Sequence, residues 1–220
     1  MGTRLSPARI AAAREVVERA LLDTPQTTLP ELSKHLGCDL VIKDETAGPL
    51  GCFKGRGADL YVARLLSESG AERTGLELVC ASAGNFGLGL ADAGRRARVR
   101  VTVFASRNGS GFKLGRIRER GGRVVQEGED FDAAKDAARA YATAQGARFV
   151  EDGAEVAIAE GAGTIATELE ADGPFDMVVI PVGNGALAAG MGTWIRHRSP
   201  ATRIVGVCSD GAPVIGRAHV

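Results

Sequence analysis

Six apolar runs, LELVCAS, VRVTVFAS, GRVVQEG, ARFVED, FDMVVIPVG and RIVGVCS, recur along the chain and alternate with helical stretches near residues 54–69, 85–96, 112–120, 130–145, 160–171 and 187–198. Such alternation predicts βαβ units and a mainly parallel sheet covered on both faces. Right-handed crossovers then leave the carboxyl ends of the strands as the place for a ligand. Many of the 30 glycines fall at those strand ends, in keeping with close backbone approaches there.

Ahead of this rhythm, Ser6 and Pro7 read as an N-cap and first helical position, and an apolar stripe from Ile10 carries the expected helix to about Leu22. Pro25 and Pro30 punctuate the next stretch, which ends on Gly37, and CDLVIKDE reads as a short strand or hairpin arm. A length of 220 residues suits one large domain or two small ones. With no low-complexity linker and no fixed-period repeat, a second domain would have to be inserted within the first.

Lys and Arg number 27, equal to Asp and Glu at 27, so no global field points to nucleic acid or to an acidic membrane surface. A small, roughly neutral partner fits better. Cys38, Cys52, Cys80 and Cys208 are widely spaced, with no CxxC pair, and read as free thiols. The charged N-terminus lacks the apolar stretch of a signal peptide and no membrane-length run follows, so the expected compartment is the cytoplasm. His35, His197 and His219 have no partners at ligand spacing, and no metal site is expected. The arginines around Glu119, namely Arg116, Arg118 and Arg120, read as a solvated helix face.

Small-residue loops stand at three strand ends, ASAGNFGLG at 81–89, ASRNGSG at 105–111 and PVGNGALAAG at 181–190, each before a helix. In the third, backbone N–H groups of Gly183, Asn184, Gly185, Ala186 and Leu187 can converge on a phosphate at the N-terminus of the following helix. The plainer reading is that these glycines only permit a tight turn. Neither a P-loop nor a dinucleotide fingerprint fits the spacing. In the first loop, Ser82, Ala83, Gly84 and Asn85 offer a seat for a carboxylate, unless Ser82 or Asn85 simply caps its own helix.

Lys54, in GPLGCFKGRGA, would by itself pass for a solvated helix lysine. In order and spacing, however, GPLGCFKGRGA, ASAGNFGLGLADAGR and PVGNGALAAGM together resemble the fold type II family of pyridoxal-phosphate enzymes, which includes threonine and serine dehydratases, serine racemases, threonine synthases and cysteine synthases. Lesser echoes are ELSKHLGCDLVIKDE, KLGRIRERGGRVV and IAEGAGTIATELE, so the resemblance spans about Thr24 to Pro213.

The resemblance implies an α/β fold with parallel twisted sheets flanked by helices. Residues 1–51 and 146–220 would form a large cofactor-binding domain, and residues 52–145 a small inserted one. It implies that Lys54 holds pyridoxal 5'-phosphate as a Schiff base, a bond that needs an amine neutral part of the time. It further implies that Phe53 packs on the pyridine ring, that 183–187 cradle the phosphate and that Asn85 meets the ring's 3-hydroxyl. Ser82, Ala83, Gly84 and Asn85 would receive the carboxylate of an amino-acid substrate. The implied activity is elimination from a hydroxy amino acid such as serine or threonine, with Lys54 as general base at Cα, in a homodimer.

Departures from the family narrow this reading. Racemases of the group carry a serine where this chain has Ala83, which favours the dehydratase branch. Phe86 replaces a common histidine or threonine, and Cys208 and Ser209 stand where related enzymes often have a glutamate that helps bind a cation. Family members continue well past residue 220, so the C-terminal part of the large domain is expected to be missing. A β- or γ-replacement synthase shares every motif named, and a non-catalytic degenerate homologue remains a further alternative.

Overall fold

The structure, a computed structural model, describes residues 4–68 and 75–210. His219 and the end of the resemblance at Pro213 lie outside the described residues. The chain opens with α1 (Pro7–Val16), β1 (Gln26–Thr28), α2 (Pro30–Leu36) and β2 (Val41–Lys43). A central series follows: α3 (Lys54–Glu68), β3 (Glu77–Ala81), α4 (Asn85–Ala97), β4 (Arg100–Ala105), α5 (Gly111–Glu119), β5 (Arg123–Gln126), α6 (Phe131–Gln145) and β6 (Arg148–Phe149). The described part closes with α7 (Val156–Leu169), β7 (Met177–Pro181), α8 (Ala186–Arg198) and β8 (Arg203–Val207).

All six apolar runs form strands, and the helices between them lie where the alternation predicts. They divide between two parallel sheets, a four-stranded one in the order β5-β4-β3-β6 and a two-stranded one of β7 and β8. A separate antiparallel pair joins β1 to β2. The four-stranded sheet ends at Phe149, slightly beyond the expected limit of the inserted unit.

Side-chain alternation explains how this sheet is covered on both faces. Leu78, Cys80, Val101 and Val103 join a core with Leu60, Leu90, Leu114 and Ile117, whereas Val79 and Phe104 face Ala138 and Ala142 of α6. A second cluster, of Ile165, Ile180, Leu187 and Ile195, fills the space between α7, α8 and β7.

The first helix stops earlier than expected, at Val16. Val17 turns to extended backbone, and a short 3-10 turn, Arg19–Leu21, replaces the last helical turn. The reason is tertiary: the Asp59 carboxylate of α3 accepts the Glu18 N–H at 2.6 Å, taking a donor that a continuing helix would have used, while Leu21 and Leu22 reach the core.

Helices α3 and α7 cross through glycine. A Cβ on Gly161 would stand 2.5 Å from the Arg56 carbonyl oxygen and 2.7 Å from Gly57 Cα. No side chain fits between two backbones at that distance. The same crossing buries charge. Arg56 forks onto Glu168 through both of its terminal nitrogens and also meets Glu45 at 2.8 Å, while Lys43 reaches Glu168 at 2.6 Å. Thr164 and Thr24 accept further Arg56 N–H groups at 3.1 and 3.2 Å. Burial would raise the Glu168 carboxyl, but the hydrogen bonds and charge of Arg56, with help from Lys43, outweigh it and hold the group below its usual range.

Candidate active site

Lys54 is the first residue of α3, and the loop that delivers it is held from another element. Arg116 donates to the Leu50 carbonyl at 2.8 Å and Arg120 to that of Pro49 at 2.9 Å. The expectation of a solvated charged face on α5 is therefore corrected for Arg116 and Arg120, which lie one turn apart and meet loop carbonyls, while Arg118 and Glu119 are exposed as expected. Arg120 also bridges to Asp92 on α4 at 3.1 Å. Burial alone would raise Asp92, but hydrogen bonds from Arg96, Arg95 and Arg120 hold it below its usual range.

Phe53, Lys54, Gly183, Asn184, Gly185 and Leu187 line a single cavity of about 330 Å³ with Val207 and Ser209. Its size falls within the roughly 300–1,000 Å³ usual for small-molecule sites. The lysine nitrogen lies 5.0 Å from the Phe53 ring centroid. On the opposite wall α8 begins behind Gly185, whose φ of 92° is one that glycine adopts without strain. Asn184 Oδ1 accepts the Ala186 N–H at 3.3 Å, so this asparagine caps the helix while its neighbours bound the cavity. Ala186 itself is buried beneath the loop. Beside Gly183 there is open space, since an added Cβ would meet nothing within 4 Å.

The second expected cluster lies next to this cavity without lining it. Ser82 Oγ accepts N–H groups from Gly84 at 3.2 Å and Gly87 at 3.1 Å, which makes it a brace for the first turn of α4. Ala83 packs against the main core, and Asn85 is exposed. The two groups are linked through Gly89, where a Cβ would be 3.0 Å from the Lys54 carbonyl oxygen. Asn85 stands four residues before Gly89 and so shares the face of α4 that meets Lys54.

Sequence reasoning missed Asp152. Its Oδ2 pairs with Lys54 Nζ, and its Oδ1 is buried without a hydrogen bond. The adjoining Gly153 touches Asn184, whose backbone oxygen would be 3.3 Å from an added Cβ. Thus the turn after β6 sits between the lysine and the glycine loop. A signal existed, because an acidic turn at the carboxyl end of a parallel strand is where such folds place ligand-facing groups. The same turn is tied elsewhere by Glu151, whose carboxyl is lowered chiefly by its hydrogen bond from Lys135 on α6 and, with it, that from Arg139.

Residues 17–219 match the family described as pyridoxal-phosphate dependent enzyme. The biosynthetic L-threonine dehydratase of Pasteurella multocida is 33% identical over 196 residues, covering 89% of this chain and 37% of that protein. The L-threonine ammonia-lyase of Thermotoga maritima is 33% identical over 183 residues, covering 83% of this chain and 45% of the relative. Among solved structures, the processed form of threonine deaminase isoform 2 from Solanum lycopersicum superposes with a TM-score of 0.81 at 30% identity, over 91% of this chain and 54% of that one. The chain thus spans less than half the length of these two curated relatives.

Proposed function

We propose that the chain, which belongs to the pyridoxal-phosphate dependent enzyme family, forms the lysine-bearing part of a lyase that eliminates the β-hydroxyl of an amino acid such as serine or threonine. The observation that carries the reading is the sharing of one cavity by Lys54 and by Gly183, Asn184, Gly185 and Leu187 of the glycine loop.

The residues present fit the cofactor. Lys54 would hold it covalently through its amine, and Phe53 would lie beside the ring. The first N–H groups of α8 have no partners within their own helix, and at that positive end they would take the phosphate of the cofactor. Glycine at 183 leaves the space that its oxygens need. When bound, pyridoxal phosphate supplies an electron sink for negative charge at Cα.

The chain's own groups do the remaining work. Asn85 and the N–H groups at the start of α4 would hold the substrate carboxylate, with Ser82 keeping that turn in shape. The Lys54 amine, once free, takes the Cα proton as general base. Ala83 offers no acid on the opposite face, which supports elimination over racemisation.

We propose the division expected from the sequence, a large domain of 1–51 and 146–220 and a small one of 52–145, with the small one extended to Phe149 so that β6 stays with the sheet it pairs in, and a cytoplasmic homodimer. Among the described residues, no helix is long and apolar enough to cross a membrane.

Borohydride reduction of the intact protein loaded with pyridoxal phosphate should fix pyridoxyl label on Lys54. L-Serine or L-threonine should then yield a 2-oxo acid and ammonia with no added nucleophile. Product formed only with an added thiol would replace the lyase reading by a synthase. Absence of label would end both.

A further inference from the structure

The geometry points to Asp152 as the positioning residue of the Lys54 amine, holding Nζ at the cavity when the nitrogen is free and setting how firmly that nitrogen keeps its proton when it carries the cofactor. This rests on the function proposed above.

Three observations carry it. The ion pair is largely withdrawn from water, with the lysine and aspartate side chains 16% and 14% exposed. At such a site the charges are weakly screened. Second, among the described residues Asp152 has no other side-chain partner. Glu151 is tied to Lys135 and Arg139, and Glu155 faces Arg148 at 3.9 Å, but Asp152 pairs with Lys54 and leaves Oδ1 without a donor. A buried carboxylate oxygen left without a donor is uncommon, and bracing of the turn does not account for it.

Third, the backbone around it is held. The Val150 N–H donates to the Val79 carbonyl at 2.7 Å, the Ala154 N–H donates to that of Glu151 at 3.0 Å, and Gly153 abuts Asn184. The carboxylate therefore stands at a set point between the lysine and the phosphate-binding loop.

Other ionisable groups near the lysine do not compete for it. Burial raises both the Cys52 thiol and, with a smaller push from Asp152, the Cys80 thiol, so each stays neutral. Arg116 is engaged with the Leu50 carbonyl, and Glu45 with Arg56. Joining an ammonium to an aldehyde expels one water and leaves the positive charge on the same nitrogen. Asp152 thus keeps its counter-ion through that step.

The test is Asp152→Asn beside Asp152→Glu in the intact protein reconstituted with pyridoxal phosphate, reading the bound cofactor's absorbance against pH. An opposite charge at this range moves a titration by roughly one to three units. The Asn variant should therefore titrate at least about one unit below wild type, and the Glu variant should recover most of that difference. The kcat of the Asn variant should fall more than its KM changes. If all three proteins bind cofactor and titrate together, Asp152 has no such role. Failure of wild type to take the borohydride label would instead remove the function itself, so the two ideas fail separately.

Discussion

Arg56 and Glu168 meet through two prongs of a guanidinium and both oxygens of a carboxylate, with side chains 1% and 3% exposed. Arg56 lies two residues beyond Lys54, so this pair ties the first turn of α3 to α7. An ion pair of this kind adds little over a well-packed apolar pair, but losing one partner strands the other in the interior.

Glu168→Ala should therefore cost about 3–5 kcal/mol, read as a lowered urea midpoint. A change below about 1 kcal/mol, the range of exposed pairs, would mean that water reaches this site. Arg56→Lys should not rescue, because one ammonium cannot match the forked geometry.

Two glycine substitutions should act in opposite directions. Gly161→Ala drives a methyl against α3 backbone and should destabilise by about 1–3 kcal/mol. Because the displaced atoms belong to Arg56 and Gly57, cofactor affinity should weaken as well. Gly115→Ala, where an added Cβ meets nothing within 4 Å in helix α5, should stabilise by about 0.5–1 kcal/mol. Thermal melts of both variants would expose an error in either packing assignment.

Lys54→Ala should abolish covalent retention of pyridoxal phosphate. Turnover should fall by at least the roughly 10²–10⁴-fold carried by a positioned general base, while far-UV circular dichroism stays unchanged. Full activity in this variant would defeat the assignment.

Removing the Arg116 side chain leaves the Leu50 carbonyl without its charged donor and loosens the loop that presents Lys54. Arg116→Ala should lose about 1.5–3 kcal/mol of stability and bind cofactor more weakly in a direct titration. Arg118→Ala, on the same helix and exposed, with no loop carbonyl to hold among the described residues, serves as the control.

Acid should weaken the fold through Glu168 and Asp92, both held below their ordinary values. Their contribution is complete above the unfolded carboxylate range of about 3.9–4.3. It is lost as pH falls through the lower native values, because the denatured chain takes up protons first. Urea midpoints followed downward from neutral pH should drop across that window. The drop should be shallower in a Glu168→Gln, Asp92→Asn double variant.

Strand and helix order was legible in the alternation of apolar runs, since each element must bury one face and the period of that face is written locally. Phe53, Lys54 and the loop at 183–187 do not stand out locally, since the lysine alone reads as a solvated helix residue and the loop alone as a tight turn; as candidates they were legible only in the family resemblance of three motifs taken together. The end of α1, the loop clasp by Arg116 and Arg120, and the pairing of Lys54 with Asp152 were not. Each is a contact between segments remote in sequence, Asp59 with Glu18, α5 with the loop at 49–50, and the turn after β6 with α3. Local pattern, with the resemblance it carries, determined which residues are candidates for the chemistry. Only the packing of α3 against α4 and α7 decided which charges face them, because electrostatic partners are chosen by distance in space, and a chain records only distance along itself.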